Sequence, residues 1–335
     1  MKMCLAYRCL RAVALLASVF AFATSPSAGA PIDFRDHPAQ LVERASLATK
    51  LYEARGSGGV VAYPLAADGL PATTPDWQLK GGLREAWAIA FDGAGYLYVS
   101  DAALNQVRVY APGASGNDLP VRIIPLPGGG CAMTVNPAGY VFTTVALGDE
   151  CTPTVSIYAP VTGPQFEGWV PQPIHTITIT SSPTIFDLLA DKQGRLYVAP
   201  LGVEFYIYND PVNEWQSPNE DIVAQSREYT IYAPIALNED DSYLYMQTLI
   251  ITRGPEDGAD HAARSLLVQK PDKISLSSAC NEDGYQGLEY SLAVNKNYLM
   301  FTCWLSPTLF VLHNRPGRQK PVETLPAGIG LLLWP

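Results

Sequence analysis

The sequence predicts an all-β fold built from a repeated unit, and three observations carry that prediction. Short runs rich in Val, Ile and Tyr alternate apolar with polar residues, as half-buried strands do. Glycine and proline, with 27 and 28 copies, stand between these runs and disfavour long helices. Apolar strands that end in an Asp or Asn turn recur about every fifty residues, which is close to the sequence period of a four-stranded propeller blade. The predicted fold is therefore a β-propeller.

The turn residue after each apolar strand marks the repeat. It falls at Asp92, Asn136, Asp191, Asn238 and Asn295, so successive marks are 44, 55, 47 and 57 residues apart. Third strands are predicted at "QVRVYAP", "TVSIYAP", "EFYIYND" and "TLFVLHN". Fourth strands are predicted at "PVRIIPL", "PIHTITI" and "EYTIYAP".

The two ends of the chain hold incomplete units that complete each other. Residues 49–79 contain strands two to four of a unit, whereas "AGIGLLLWP" at 327–335 is an apolar strand with nothing after it. An open ring would leave sheet faces and strand edges exposed. We therefore predict a six-bladed β-propeller of four-stranded blades, closed by the C-terminal strand joining the N-terminal blade. The predicted blades lie near residues 46–80 plus 327–335, 85–127, 130–180, 184–232, 233–279 and 287–325.

The first thirty residues have the composition of a secretory signal peptide. Lys2, Arg8 and Arg11 precede a twelve-residue apolar run, and Ala28 and Ala30 stand in an A-x-A arrangement. The run is too short to span a bilayer, which takes about 20 residues. Cleavage after residue 23 or 28 is the alternative, because a proline follows Ala30. We expect a signal peptide at 1–30, an N-terminal arm at 31–45, a propeller at 46–335, and secretion to the extracellular space or the periplasm.

The net charge limits the classes of possible partner, and the cysteine content predicts disulfides. Removal of residues 1–30 leaves 19 basic against 32 acidic residues, a net charge of −13, which argues against nucleic acid and anionic membranes as partners. We expect a monomer. The four remaining cysteines, an even number in a secreted chain, predict two disulfides, Cys131–Cys151 and Cys280–Cys303, with four free thiols as the alternative.

The stretch "WAIAFDGAGYLYVSDAALNQVRVYAP" at 87–112, within the predicted blade at 85–127, resembles an NHL repeat. More broadly, residues 46–335 resemble the secreted six-bladed propellers grouped with NHL-repeat and gluconolactonase-like proteins and with virginiamycin B lyase. In the repeat pattern, Asp101 and Asn105 occupy turn positions where such side chains bond nearby backbone. The four histidines lie away from the starts of the inner strands, so a histidine-dependent lyase mechanism lacks its base.

Carboxylates at the predicted central channel are candidates for a metal site. Glu85, Asp187 and Glu289 lie on or just before inner strands, and Ca²⁺ and similar ions take carboxylate oxygens. Gluconolactonase-like propellers hold a divalent metal with Glu, Asp and Asn, so the resemblance implies Ca²⁺ or another divalent ion, although the paired Asn ligands have no evident counterparts here. The alternative is that Glu85 pairs with Arg84, Glu289 faces solvent and Asp187 is hydrogen-bonded in the hub.

Tryptophans in or near predicted loops form the third group of candidates. Trp77, Trp169 and Trp215 either carry a ligand-binding surface or fill gaps between blades. The sequence thus supports two main hypotheses. The first is a binding module for a protein or small ligand, which uses loops on one face. The alternative is a divalent-metal-dependent, lactonase-like hydrolase that uses the channel carboxylates; a cell-surface structural module is a third.

Overall fold

Antiparallel sheets of four strands dominate the computed structural model of the protein. The structure describes residues 49–126, 130–147, 150–160, 172–182, 184–200, 204–223, 235–237, 243–246, 249–252, 274–275, 289–303, 308–314, 317–318, 321–326 and 330–334. We name the four-stranded sheets blades A to E in chain order. Within each blade, neighbouring strands are antiparallel.

The strands of the five blades are given in the order of each sheet. Blade A contains Gly330–Trp334, Lys50–Ala54, Val60–Pro64 and Trp77–Leu79. Blade B contains Ala86–Phe91, Leu97–Asp101, Gln106–Tyr110 and Arg122–Pro125. Blade C contains Gly130–Val135, Val141–Leu147, Glu150–Tyr158 and His175–Thr178. Blade D contains Ile185–Ala190, Leu196–Pro200, Glu204–Tyr208 and Glu220–Val223. Blade E contains Glu289–Val294, Tyr298–Cys303, Thr308–His313 and Glu323–Pro326.

The remaining strands form smaller sheets. Ile235–Leu237, Tyr243–Met246 and Leu249–Thr252 make a three-stranded sheet, and Ile274–Ser275 pairs in parallel with Gly317–Arg318. A single 3-10 turn, Ala102–Leu104, interrupts blade B. Among the described residues, no helix is long and apolar enough to cross a bilayer.

The prediction of six four-stranded blades needs correction, because the described residues form five. The predicted blade at 233–279 is present as the three-stranded sheet, and most of the residues after 252 in that range lie outside the described part. The fourth strand of blade D was also misplaced. It is Glu220–Val223, whereas "EYTIYAP" at 228–234 lies outside the described residues. The strand Glu220–Val223 reads EDIV and does not alternate apolar with polar residues, so the local pattern favoured the later segment.

The two ends of the chain meet in blade A. The C-terminal strand Gly330–Trp334 pairs with Lys50–Ala54 over five residues, from Gly330 opposite Ala54 to Trp334 opposite Lys50. The strand therefore occupies the inner position that residues 49–79 do not supply. The two ends of the chain thus belong to one sheet.

The apolar core lies between adjacent blades. Large buried side chains from one blade pack on the inner and middle strands of the next; for example, Tyr110 of blade B packs with Leu79 of blade A, and Tyr158 of blade C packs with Val107 of blade B. Tyr63, Tyr110 and Tyr158 are at most 2% exposed, and each comes from a third strand. Full burial of such a side chain contributes about 1.5–3 kcal/mol.

The repeated Asp or Asn forms the turn between the first and second strands. Asp92 Oδ1 accepts the N–H groups of Ala94 and Tyr96 at 3.0 and 2.9 Å, and it is buried. Asp191 Oδ1 does the same two and four residues on, and Asn295 Oδ1 two and three residues on. Asn136 Oδ1 accepts from the N–H of Tyr140. The marks read from the sequence are therefore turn-forming side chains in all four described cases; Asn238 lies outside the described residues.

Candidate functional site

Antiparallel pairing divides the loops of each blade between two faces. The connections from strand one to two and from strand three to four lie at the same end of a blade. We call this end the turn face, because it carries Asp92 and its counterparts. Trp77 begins the fourth strand of blade A and Trp215 lies between the third and fourth strands of blade D, so both belong to the turn face. The candidate carboxylates lie at the opposite end, where the inner strands begin.

Asp187 joins the inner strand of blade D to the neighbouring three-stranded sheet. Its Oδ1 accepts the N–H of Leu188 at 2.8 Å, and its Oδ2 accepts the N–H of Ile235 at 2.9 Å. Residues at the same position of the other inner strands are small, as with Ala88 and Ala132. The carboxylate therefore satisfies two backbone donors, one of them on another sheet. This is the hydrogen-bonded arrangement that the sequence left as an alternative to a metal ligand.

Burial sets the protonation of Asp187. Desolvation among the inner strands raises the pKa of its carboxyl group from 3.8 to about 7, and the bonds from the N–H groups of Ile235 and Leu188 lower it by a smaller amount. The group therefore changes charge near neutral pH. A carboxyl group that is partly protonated at pH 7 is a weaker ligand for a hard cation, because the ligand must be deprotonated.

Glu85 lies just before the inner strand of blade B and is half-buried. Its Oε1 accepts the indole N–H of Trp87 at 3.3 Å. Its backbone N–H donates to Asp101 Oδ1 at 3.2 Å, and its carbonyl oxygen accepts the N–H of Ala102 at 3.0 Å. The alternative gave Glu85 a pairing with Arg84, whereas the structure shows the bond from Trp87. Local contacts thus fix both the backbone and the side chain of Glu85.

The side chain of Asp101 binds the backbone just before the inner strand of blade B and just after the neighbouring strand. It is fully buried, and it accepts the N–H groups of Arg84, Glu85 and Leu104 at 2.8, 3.2 and 3.2 Å. It also caps the 3-10 turn, while Asn105 ends that turn with φ of 54°, in the left-handed region. The expectation that Asp101 bonds nearby backbone at a turn position is confirmed.

The three candidate acids are not shown to converge. Glu289 begins the inner strand of blade E and pairs with Cys303, and its side chain lies outside the described part. Among the described residues, no three His, Cys, Asp or Glu side chains are grouped closely enough to hold a metal ion. The metal site at Glu85, Asp187 and Glu289 therefore stays a prediction.

One of the predicted disulfides is present. Cys131, at the start of blade C, is bonded to Cys151 with the Cα atoms 5.6 Å apart. The bond links the first and third strands of one blade. The second predicted disulfide, Cys280–Cys303, stays a prediction. Cys280 lies outside the described residues, and only the backbone of Cys303 is described.

Trp77 fills a gap between blades A and B. Its indole N–H donates to the carbonyl of Ala114 at 3.1 Å, and its ring meets that of Tyr52 edge to face at 5.4 Å. The cleft left beside it is about 50 Å³. The alternative reading, in which the ring plugs the space between blades, thus describes Trp77 better than a ligand platform does.

Trp215 borders an open cleft between blades C and D. Its ring stacks on His175 with centroids 5.0 Å apart and planes 17° apart. The cleft has a volume of about 170 Å³, and Thr176, Thr178, Tyr206 and Trp215 are among its lining residues. Its lining contains no Asp, Glu, Lys or Arg. Trp215 is therefore the predicted tryptophan that lines the roomier cleft; Trp169 lies outside the described residues.

Sequence reasoning missed the partners that make this cleft. Tyr206 hydrogen-bonds through its hydroxyl to that of Ser181 at 2.6 Å, and Tyr208 is 2% exposed. Burial and the neighbouring Tyr206 raise the pKa of Tyr208 to about 12, so the phenol of Tyr208 is neutral at pH 7. The repeated Tyr at or near the end of the third strand in blades A to D was visible in the sequence. Its position against the edge of the preceding blade was not.

Comparisons with known proteins support the fold alone. No protein-family model matches the chain, and no curated protein does. A chain of a crystal structure of a nidogen/laminin complex is similar, with a TM-score of 0.55 and 10% identity over 84% of this chain and 97% of that one. A protein from Lactobacillus plantarum is similar with a TM-score of 0.52 and 11% identity, over 86% of this chain and all of that one. The protein is thus an all-β propeller whose family these likenesses do not establish.

Proposed function

We propose that the protein is a secreted, monomeric β-propeller that binds a protein or small ligand through the loops of its turn face. The observation that supports this most directly is Trp215, which comes from a loop between third and fourth strands and lines an open, uncharged cleft of about 170 Å³. Sites of this kind combine an aromatic ring with a few fixed polar groups. In the equivalent gap between blades A and B, the space beside Trp77 is about 50 Å³.

The proposal includes a ring of six blades. In it, the three-stranded sheet at 235–252 is the fifth member of the ring, and the strand Gly330–Trp334 closes blade A. Two contacts support this order: Asp187 of blade D bonds the first strand of the three-stranded sheet, and Ala236 of that sheet packs with Leu292 and Phe301 of blade E. Secretion is supported by the composition of residues 1–30, and the Cys131–Cys151 disulfide is compatible with it.

The binding proposal is tested by screening the purified protein against neutral small molecules and against displayed peptides, with thermal shift and affinity selection as readouts. A bound ligand raises the melting temperature by mass action. We expect ligands whose binding is at least tenfold weaker in Trp215→Ala and unchanged in Trp87→Phe, which alters the opposite end of blade B. Ligands that bind Trp215→Ala and the parent protein equally would contradict the use of this loop.

The alternative proposal, a metal-dependent lactonase-like hydrolase, makes a different prediction. The purified protein would contain one equivalent of Ca²⁺ or another divalent ion, and Asp187→Asn would lower that content. Elemental analysis of the parent protein and the variant decides between these outcomes. A protein free of metal after dialysis against 1 mM Ca²⁺ would remove this alternative, whereas a stoichiometric ion lost in Asp187→Asn would favour it over the binding module.

A further inference from the structure

The outer edges of the blades differ in how they are protected. An outer strand presents unpaired N–H and C=O groups, and natural sheets cover such edges or place Pro or charged residues on them. The fourth strand of blade B ends in Pro125, that of blade E ends in Pro326, and that of blade A is followed by Lys80. The corresponding residue of blade C is Thr178, in the strand "HTIT".

These four residues are equivalent by strand pairing. Each follows a buried residue of the fourth strand: Ile124 in blade B, Leu325 in blade E, Leu79 in blade A and Ile177 in blade C are all at most 3% exposed. Leu79 pairs with Val60, and Ile177 pairs with Val155. Val60 and Val155 each lie three residues before a buried Tyr of the third strand. Blade C therefore has a threonine where two blades have proline and one has lysine.

The backbone N–H and C=O groups of Thr176 and Thr178 point away from their own sheet. The N–H of Ile179 donates to the carbonyl of Pro153. In this register, the odd-numbered residues of the fourth strand direct their N–H and C=O groups to the third strand. In an antiparallel pair, the residues between them direct their N–H and C=O to the other side. Among the described residues, no backbone group bonds to the carbonyl of Thr176 or the N–H of Thr178.

Blade A shows what can bind such an edge. There the N–H of Gly116 donates to the carbonyl of Gln78 at 2.6 Å, and the carbonyl of Gly116 accepts the N–H of Lys80 at 2.7 Å. Gly116 also forms a parallel bridge with Leu79. A segment of the loop that follows the third strand of blade B thus lies along the edge as a short additional strand.

In the part of the chain that the structure describes, the equivalent loop of blade D does not pair with the edge of blade C. Instead of an extended segment, it places Trp215 against His175, the first residue of the strand. The remaining length of the edge, from Thr176 to Thr180, lines the cleft of about 170 Å³, with Tyr206 and Trp215 on the other side. The carbonyl of Thr176 and the N–H of Thr178 correspond to the groups of Gln78 and Lys80 that hold Gly116.

We propose that the outer edge of His175–Thr178 is a β-augmentation site, which accepts one extended, uncharged peptide between Thr176 and Thr178 on one side and Tyr206 and Trp215 on the other. The peptide runs parallel to the edge, as the segment at Gly116 does in blade A. Its backbone gives affinity, and its alternate side chains pack on the aromatic wall. This inference rests on the proposed function, and it names the site and the chemistry of the partner.

The shape and lining of the cleft select this occupant. A cleft bounded by Tyr206 and Trp215 admits a single chain, whereas the edge of a second copy would bring a whole four-stranded blade with it. The lining side chains are uncharged, so charged residues at the contact positions of a peptide would be desolvated without a partner. Alternating small and β-branched apolar residues fit best.

The test uses the full secreted chain and a displayed library of nine-residue peptides. We expect selected peptides with alternating apolar residues and no charge at the central positions. For the tightest synthetic peptide, Thr178→Pro should weaken binding at least tenfold, because proline removes the outward N–H. Thr178→Val, which keeps this N–H and removes the hydroxyl group, should bind within about threefold of the parent, a difference of less than 1 kcal/mol.

Thr178→Pro is expected to fold, because Pro125 and Pro326 occupy the equivalent positions of blades B and E. A measurement without any substitution is hydrogen exchange of the complex, in which the N–H of Thr178 should exchange at least tenfold more slowly than in the free protein. A peptide should also lose its binding when it is N-methylated at the residue opposite Ile177. The N–H of that residue would donate to the carbonyl of Thr176, as the N–H of Gly116 donates to that of Gln78 in blade A.

Several outcomes overturn this inference. The library yields no binder, the selected peptide binds Thr178→Pro as tightly as the parent, or a dimer forms that Thr178→Pro abolishes. If small molecules or peptides still depend on Trp215 in these cases, the turn-face binding module stands and the edge site falls. If a peptide depends on Thr178 and not on Trp215, the edge site stands and the role of the loop falls.

Discussion

The buried pair Asp92 and Tyr98 provides a sharp test of how the repeat is stabilised. The hydroxyl group of Tyr98 donates to Asp92 Oδ2 at 3.1 Å, and both residues are at most 6% exposed. Asp191 and Tyr197 make the same pair at 2.9 Å in blade D. Blade C has Asn136 in place of Asp, and at the position of the Tyr it has Phe142, which lacks a hydroxyl group. The repeat thus matches a carboxylate with a phenol.

This matching predicts a coupling energy between residues 92 and 98. Tyr98→Phe removes a donor from a buried carboxylate, and hydrogen bonds to charged groups contribute about 1.5–3 kcal/mol to stability. In the presence of Asp92→Asn the same change removes a bond to a neutral amide, which contributes about 0.5–1.5 kcal/mol. The double variant should therefore be about 1 kcal/mol more stable than the sum of the single variants predicts.

The assay is equilibrium urea unfolding at pH 7, followed by tryptophan fluorescence, for the parent, the two single variants and the double variant. Tyr110→Phe is the matched control, because the hydroxyl group of Tyr110 donates to the neutral carbonyl of Gly81 at 2.7 Å and does not touch Asp92. Combined with Asp92→Asn it should be additive within about 0.5 kcal/mol. Equal additivity for the Tyr98 pair would refute the reasoning.

Three further predictions concern the hub, the disulfide and the two ends of the chain. Because burial raises the pKa of Asp187 from 3.8 to about 7, the parent protein should lose stability as the pH rises from 4 to 7, and Asp187→Asn should flatten this dependence by up to about 4 kcal/mol in urea titrations at each pH; identical pH profiles would count against the shift. Replacing both Cys131 and Cys151 by Ala, which opens a bond across a sequence separation of 20, should cost roughly 3 kcal/mol and lower the urea midpoint, and an unchanged midpoint would contradict this. Deleting residues 330–334 unpairs the strand Lys50–Ala54 over five residues and should cause aggregation or failed secretion, whereas a folded product with the parent melting temperature would show that the pairing is dispensable.

The difference between blades A and C also shows why a repeated sequence can carry a single site. Both blades have a buried residue followed by a residue with an outward N–H, and both face a loop from the next blade. At blade A the loop comes from blade B and carries Gly116. This residue lies close to the edge, and its φ of 58° is in the left-handed region that favours glycine. At blade C the loop comes from blade D and places the ring of Trp215 on His175. One edge is paired as a result, and the other is left open.

The sequence by itself determined the features that depend on nearby residues. Asp92, Asn136, Asp191 and Asn295 could be identified as turn residues because their side chains bond N–H groups at most four positions away. Strand alternation and the pairing of Cys131 with Cys151, only 20 residues on, were accessible for the same reason. The blade count was less secure, since a weak strand and a loop with similar composition differ only in whether a neighbouring sheet covers them.

Only the tertiary structure decided which distant groups meet. Asp187 could be singled out as an acid among small residues, but its second bond goes to the N–H of Ile235, 48 residues away on another sheet. Trp215 could be assigned to a loop, whereas its stacking on His175 depends on how two blades lie side by side. The open edge at Thr178 likewise follows from the path of a loop that belongs to the next blade. Contacts between blades depend on the spacing and twist of whole sheets, and no short stretch of sequence encodes these quantities.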